Sequence, residues 1–345
     1  MAPFGPVGRA AWALLAALLI LTSCSLVPLG KSSVVVYTSV DRVFSEPILN
    51  AFEAETGVKM LPVYDVEAAK TTGLVNRLIA EKGRPKADVF WSGEFAQTIA
   101  LQDEGVLAPY QSAQAADIPE VFVDPGYHWI GFAGRARVIL VNTDEVTPDR
   151  YPSSIYDLLD STWPADRIGI AYPMFGTTAT QAAALYADLG PDAARAYFQG
   201  LADRGVRVVD GNSVVRDMVA SGQLTFGLTD TDDACSAVER GDPVAIIFPD
   251  QGEGELGTLV IPNTVALIAG GPHPDEGRAF VDYIVSVETE QRLVEAGWSH
   301  VPVRPLDAGP KCVDAADVRA MRVSLDQVYR ELAHSQAELG AMFVR

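Results

Sequence analysis

From Ser33 onward the chain alternates short β-branched runs with amphipathic stretches, and this alternation limits the fold more than any other feature. Residues 34–37 (Val-Val-Val-Tyr) read as a buried strand. Ile48, Leu49 and Phe52 then share one helical face, with Ser45 placed to cap the helix, Pro47 in its first turn and Gly57 at its end. Residues 58–64 read as a second strand. Leu74, Val75, Leu78 and Ile79 stripe a second helix that Gly83 closes. Residues 87–91 read as a third strand, and residues 95–104 as a third helix before Gly105. A β-α-β-α-β-α order predicts a mainly parallel sheet with helices on both faces.

Residues 108–134 are less regular, and then the alternation resumes. Strands are expected at 138–141, 168–172, 206–209, 224–228 and 244–248, with helices at 178–189, 193–202 and 214–221 between them. Residues 258–268 read as one extended run, and helical patterns fill 275–294 and 315–342. Two α/β units in succession predict a two-lobed α/β chain, each lobe a mainly parallel sheet flanked by helices. Lobe one takes residues 33–134 and 262–345, and lobe two takes 135–261, so the chain crosses between them twice at a hinge.

The N-terminus reads as a processing signal rather than as part of the fold. Arg9 precedes an apolar run over residues 10–21, too short to span a membrane comfortably. The run ends in Leu21-Thr22-Ser23-Cys24, which resembles a bacterial lipobox. Residues 1–23 are therefore expected to be a lipoprotein signal peptide, with lipidated Cys24 and a tether over 24–32 holding the body at an extracytoplasmic membrane surface. Cys235 and Cys312 are left; they either pair in an oxidising compartment or stay as separate buried thiols. A formal charge of −19 disfavours nucleic acid as a partner.

In open α/β sheets ligands bind beyond the carboxyl ends of strands, at helix N-termini. The turns at those positions are rich in small polar residues: Thr38 and Ser39, Ser92 and Gly93, Gly176, Thr177 and Thr178, Asn212 and Ser213, and Thr229, Asp230 and Asp232. Each type is also a common N-cap, but together they expose backbone N–H groups suited to an oxyanion. Asp41, Glu94, Asp230 and Asp232 stand in the same turns as candidate metal ligands. Clustered carboxylates call for a shared hard cation or a ligand ammonium group. No H-E-x-x-H, G-x-S-x-G or P-loop is present, no catalytic residue is assigned, and His128, His273, His300 and His334 have no neighbours at metal spacing. Gly252, Gly254 and Gly257 match G-x-G-x-x-G, but Glu253 and Glu255 within it would repel a pyrophosphate.

Several runs look familiar: Val35-Val36-Tyr37-Thr38-Ser39, Phe52-Glu53-Ala54-Glu55-Thr56-Gly57-Val58, Ala87-Asp88-Val89-Phe90-Trp91, Gly211-Asn212-Ser213-Val214-Val215 and Ala279-Phe280-Val281-Asp282-Tyr283. They resemble the periplasmic solute-binding proteins of the ferric-iron, thiamine and phosphonate importer group. The resemblance implies a type II periplasmic-binding fold, an interlobe cleft, a monomer, and ABC permease and ATPase partners. It also implies an anion site at Gly176, Thr177, Thr178 and Asn212. Ferric-binding members use adjacent tyrosines, a His and a Glu; here Thr231-Asp232 stands for the tyrosines and Asp41 for the His, with Glu94 about one position from the Glu. No cofactor is expected; Fe(III) with a synergistic anion, or another hard cation, is the expected cargo. The alternative cargo is a phosphonate such as aminoethylphosphonate or another organic phosphate. A ligand sensor and a secreted two-lobed hydrolase or transferase are the rivals from other classes.

Overall fold

A computed structural model describes residues 32–65, 72–315 and 318–343; the leader, Cys24 and most of the tether lie outside them. The first block comprises β1 (Ser33–Thr38), α1 (Arg42–Thr56), β2 (Lys59–Tyr64), α2 (Thr72–Glu81), β3 (Val89–Ser92), α3 (Ala96–Asp103) and β4 (Leu107–Ala108). β5 (Ile130–Asn142) leads into β6 (Ile168–Ala171), α4 (Gly176–Leu189), α5 (Pro191–Arg204), β7 (Arg207–Val209), α6 (Asn212–Ala220), β8 (Phe226–Asp230), α7 (Thr231–Arg240) and β9 (Val244–Ile247). The chain returns through β10 (Val260–Ile268) and ends in α8 (Pro274–Ile284), α9 (Val287–Glu295) and α10 (Leu325–Met342).

The strands lie in the order β2-β1-β3-β10-β5-β8-β6-β7, with β4 on β10 and β9 on β5. β1 runs parallel to both β2 and β3, and β6 parallel to both β7 and β8. Between these blocks sit two antiparallel strands. β10 pairs with β3 (Val265 opposite Trp91) and with the first part of β5 (Val260 opposite Ala136). The rest of β5 pairs with β8 (Ile139 opposite Leu228) and β9 (Ile139 opposite Ile247). A register shift between Ile261 and Asn263, and a positive φ of 47° at Ala133, interrupt the β5–β10 pairing shortly before β5 passes to β8 at Arg137.

Helices cover both blocks as their stripes require. In α1, Ile48, Leu49 and Phe52 are buried, and Phe52 meets Phe280 of α8 edge-on at 5.2 Å. Burying a side chain of that size contributes about 1.5–3 kcal/mol. Gly57 ends α1 at φ 73°, a conformation that costs a non-glycine residue. In the other block Trp163 meets Phe226 edge-on at 5.3 Å. α10 lies along α4 and α5 and also reaches α3; there Glu338 takes hydrogen bonds from Tyr186 at 2.7 Å and Arg195 at 2.6 Å.

Five expectations change. α1 begins at Arg42, so Ser45 is no cap; its buried hydroxyl bonds back to the Asp41 carbonyl at 3.1 Å. Pro47 sits inside the helix, where the carbonyl it leaves unpaired belongs to exposed Val43. The irregular stretch contains the first half of β5, hidden because Gly131 and Gly134 break the β pattern. A Cβ at Gly134 would stand 2.6 Å from the Val301 carbonyl, and one at Gly131 would stand 2.8 Å from that of Phe122. Residues 275–294 form two helices, the second capped by Ser286, whose Oγ accepts from Thr289 N at 3.2 Å. At the C-terminus, regular helix begins only at Leu325.

Candidate ligand-binding cleft

β6, β7 and β8 end at one corner, where α4, α6 and α7 begin. None of these three helices has a side-chain cap at its N-terminus. Their first residues are tied together instead. Thr177 Oγ1 donates to Asp230 Oδ2 at 2.6 Å, and Asn212 Nδ2 donates to the same oxygen at 2.9 Å. Thr178 Oγ1 donates to Asn212 Oδ1 at 3.2 Å, and Thr229 Oγ1 to the Asn212 carbonyl at 3.1 Å. Gly176 and Ser213 lie exposed beside this knot. Three helix N-termini thus converge, each presenting partial positive charge.

Arg137 of β5 holds the knot from below. It is fully buried, and it donates to Asp230 Oδ1 at 2.7 Å, Asn212 Oδ1 at 2.9 Å, Thr177 Oγ1 at 3.1 Å and Gln181 Oε1 at 2.9 Å. Among the described residues its Nη2 has no hydrogen-bond partner. Asp230, a candidate cation ligand, is therefore already neutralised by a buried guanidinium. Sequence reasoning missed Arg137; the available signal was a cation inside an apolar strand run, Arg135-Ala136-Arg137-Val138.

The two acids in the first turn of α7 also have basic partners. Asp232 Oδ1 lies 3.1 Å from His300 Nδ1, and its Oδ2 lies 3.6 Å from Arg135. Desolvation works to raise the Asp232 carboxyl, although 38% of its side chain is exposed. His300 and Arg135 outweigh that and hold it below the usual range. Asp233 pairs with Arg216 at 2.9 Å, yet burial first, and the charge of Asp230 next, push it up to about 6.

The strand-end turns of the first block follow β1 and β3. Ser39 Oγ accepts from Gly93 N at 3.2 Å and lies 3.4 Å from Ser92 Oγ; buried Thr38 accepts from Val40 N at 3.1 Å. Glu94 caps α3 by accepting from Ala96 N at 2.7 Å and Gln97 N at 3.1 Å. Burial raises its carboxyl, opposed by those N–H groups and by Arg135. Arg135 thus acts electrostatically on Glu94 from one block and on Asp232 from the other. Asp41 stands at the N-cap of α1. Among the described residues, Asp41, Glu94, Asp230 and Asp232 do not gather within mutual ligand distance.

A cavity of about 390 Å³ opens beside Asp232, walled by Ser236 and Glu239 of α7 and by Phe44, Trp298 and His300. Phe44 and Trp298 pack with ring centroids 4.7 Å apart, and Trp298 Nε1 donates to Asn263 at 3.0 Å. The volume suits a small molecule. Cys235 and Cys312 form a disulfide. Tyr37 is buried and donates to Glu81 at 3.0 Å; burial and that carboxylate push it up to about 12.

Two parallel blocks joined by antiparallel crossings, with polar turns at the strand ends of both, define a two-lobed α/β binding protein. The sequence profile described as bacterial extracellular solute-binding protein matches residues 84–327, and the chain belongs to that family. The iron uptake protein A1 of Synechocystis sp. is 25% identical over 292 residues, covering 82% of this chain and 79% of that one. A putative 2-aminoethylphosphonate-binding periplasmic protein of Salmonella typhimurium is 26% identical over 275 residues, 77% of each chain. Among solved structures, a Trichodesmium protein in complex with iron and citrate superposes with a TM-score of 0.81 at 22% identity, covering 91% of this chain and all of that one.

Proposed function

We propose that the chain is the capture component of an ABC importer, not an enzyme, held outside the cytoplasm by a lipid on Cys24. It delivers ferric iron with a bound anion to a permease and ATPase. The lobes, 33–134 with 262–345 and 135–261, close about the crossings near residues 135 and 261. Thr38, Ser39, Ser92 and Gly93 line one side of the cleft, and Gly176, Thr177, Thr178, Asn212, Ser213, Thr229 and Asp230 line the other. Asp232 and Glu94, with Asp41 at the rim, supply oxygen to a hard ion.

One observation carries the choice of cargo: Arg135 stands 3.6 Å from Asp232, and its charge also acts on Glu94. A bare trivalent ion would meet that cation, whereas an anionic iron chelate pairs its own carboxylates with Arg135 and the helix N-termini. The relatives named for iron, and the solved structure holding iron and citrate, support this cargo. A phosphonate is the alternative, supported by Thr231-Asp232 at the place of the family's tyrosines and by the Salmonella relative. Its phosphonate would take the helix N-termini and its amine Asp232.

Native mass spectrometry and calorimetry of the chain from residue 25, with ferric citrate, inorganic phosphate and 2-aminoethylphosphonate, separate these outcomes. Ferric citrate binding that is lost in Glu94→Ala/Asp232→Ala supports the iron chelate. Tight 2-aminoethylphosphonate binding without iron supports the alternative. Failure of all three ligands overturns both.

A further inference from the structure

The Cys235–Cys312 bond has a third member beside it. Cys235 lies on α7 and is buried, while Cys312 follows α9 and is partly exposed to solvent. A ring nitrogen of buried His300 lies within 4.8 Å of both sulfurs. Among the described residues, no other three His, Cys, Asp or Glu side chains come so close with their ligand atoms. Asp232 holds the ring through Nδ1 at 3.1 Å, the outer carboxylate contact that orients a metal-binding histidine. The cavity walled by Cys235, His300 and Trp298 gives a small ion a path in.

We propose that reduction of the Cys235–Cys312 bond converts this corner into a Cys2His site for a thiophilic divalent ion, zinc foremost. The reductant is an external dithiol. It gives up two electrons and two protons and becomes a disulfide, while the protein S–S bond breaks and each cysteine sulfur takes a proton. The ion then displaces both protons and binds the two thiolates and His300, leaving a fourth position for water. Two thiolates on one tetrahedral zinc stand about 3.8 Å apart. The Cα atoms are 5.3 Å apart, so side-chain rotation supplies that separation without a backbone shift. Sulfur and imidazole select zinc over the oxygen-seeking ions suited to Glu94 and Asp232, so the two sites take different ions although Asp232 borders both. The closed disulfide offers no thiolate; the site exists only in the reduced protein.

The test titrates the chain from residue 25 with Co²⁺ and then Zn²⁺, after phosphine reduction and anaerobic removal of the reductant. The reduced protein is expected to bind one Co²⁺ with a thiolate-to-metal charge-transfer band and tetrahedral d–d bands, and Zn²⁺ bleaches both. The oxidised protein shows neither band, and reduced His300→Ala binds at least about tenfold more weakly. Cys235→Ser/Cys312→Ser lacks both bond and ligands and provides the folding control by circular dichroism. A reduced, natively folded protein without the thiolate band overturns the proposal. So does equal affinity in the double serine variant, or an unchanged His300→Ala. If reduction loosens the fold, recovery of the native spectrum with Zn²⁺ supports the site, and failure to recover it overturns the site.

Discussion

Replacing Arg137 with Met tests whether the knot beneath the three helix starts is held by one buried cation. Arg137 is wholly buried and Asp230 exposes 10% of its side chain, so water cannot replace the lost 2.7 Å contact. Thr177 and Asn212 would keep their bonds to Asp230 and to each other. The main loss is therefore the uncompensated carboxylate, and breaking a buried pair from one side costs about 3–5 kcal/mol. Arg137→Met/Asp230→Asn removes both charges while keeping an acceptor for Thr177 and Asn212, and should recover much of that loss. Urea unfolding followed by circular dichroism gives the midpoint and slope for all three proteins, and an unchanged slope licenses the comparison. The reasoning fails if the single variant loses less than about 1 kcal/mol, or if the double variant is no more stable than the single.

Other outcomes follow from the same geometry. Asp233 is raised to about 6 in the folded chain, chiefly by burial. The folded state then holds its proton over a pH range where the unfolded state does not, so this group's contribution falls as pH climbs from about 4 to 6; Asp233→Asn should flatten that slope in unfolding series across the range. Ferric binding should develop no phenolate colour from Tyr37 in the visible spectrum, since its buried hydroxyl is engaged with Glu81 at 3.0 Å. Ser213→Ala, at an exposed site on α6, should weaken phosphate binding by calorimetry while leaving the melting midpoint unchanged. Cys235→Ser/Cys312→Ser opens a loop of 77 residues and should cost about 4 kcal/mol in thermal or urea unfolding.

Much of the fold could be read in advance because several helices pair an apolar stripe with a glycine stop, as Ile48, Leu49 and Phe52 do before Gly57. The first half of β5 could not, because Gly131 and Gly134 serve close backbone contacts with Phe122 and Val301, partners set by tertiary packing. At the cleft, the polar turn residues stood out as types. Their electrostatic partners did not: Arg137 meets Asp230 across a separation of 93 residues, and His300 meets Asp232 across 68. An acidic run shows that charge must be compensated, but not by what. The pairing of Cys235 with Cys312 is likewise a fact of packing between α7 and a distant loop.

β10 stands between β3 and β5 although synthesis reaches it more than a hundred residues after β3 is complete. As the polypeptide emerges, β1, β2 and β3 can collapse together, but their inner edge stays open until residues 260–268 arrive to seal it. The N-terminal third cannot mature alone. Deletions, domain grafts or expression fragments that stop before Ile268 should yield sticky, unfinished sheets rather than a working lobe.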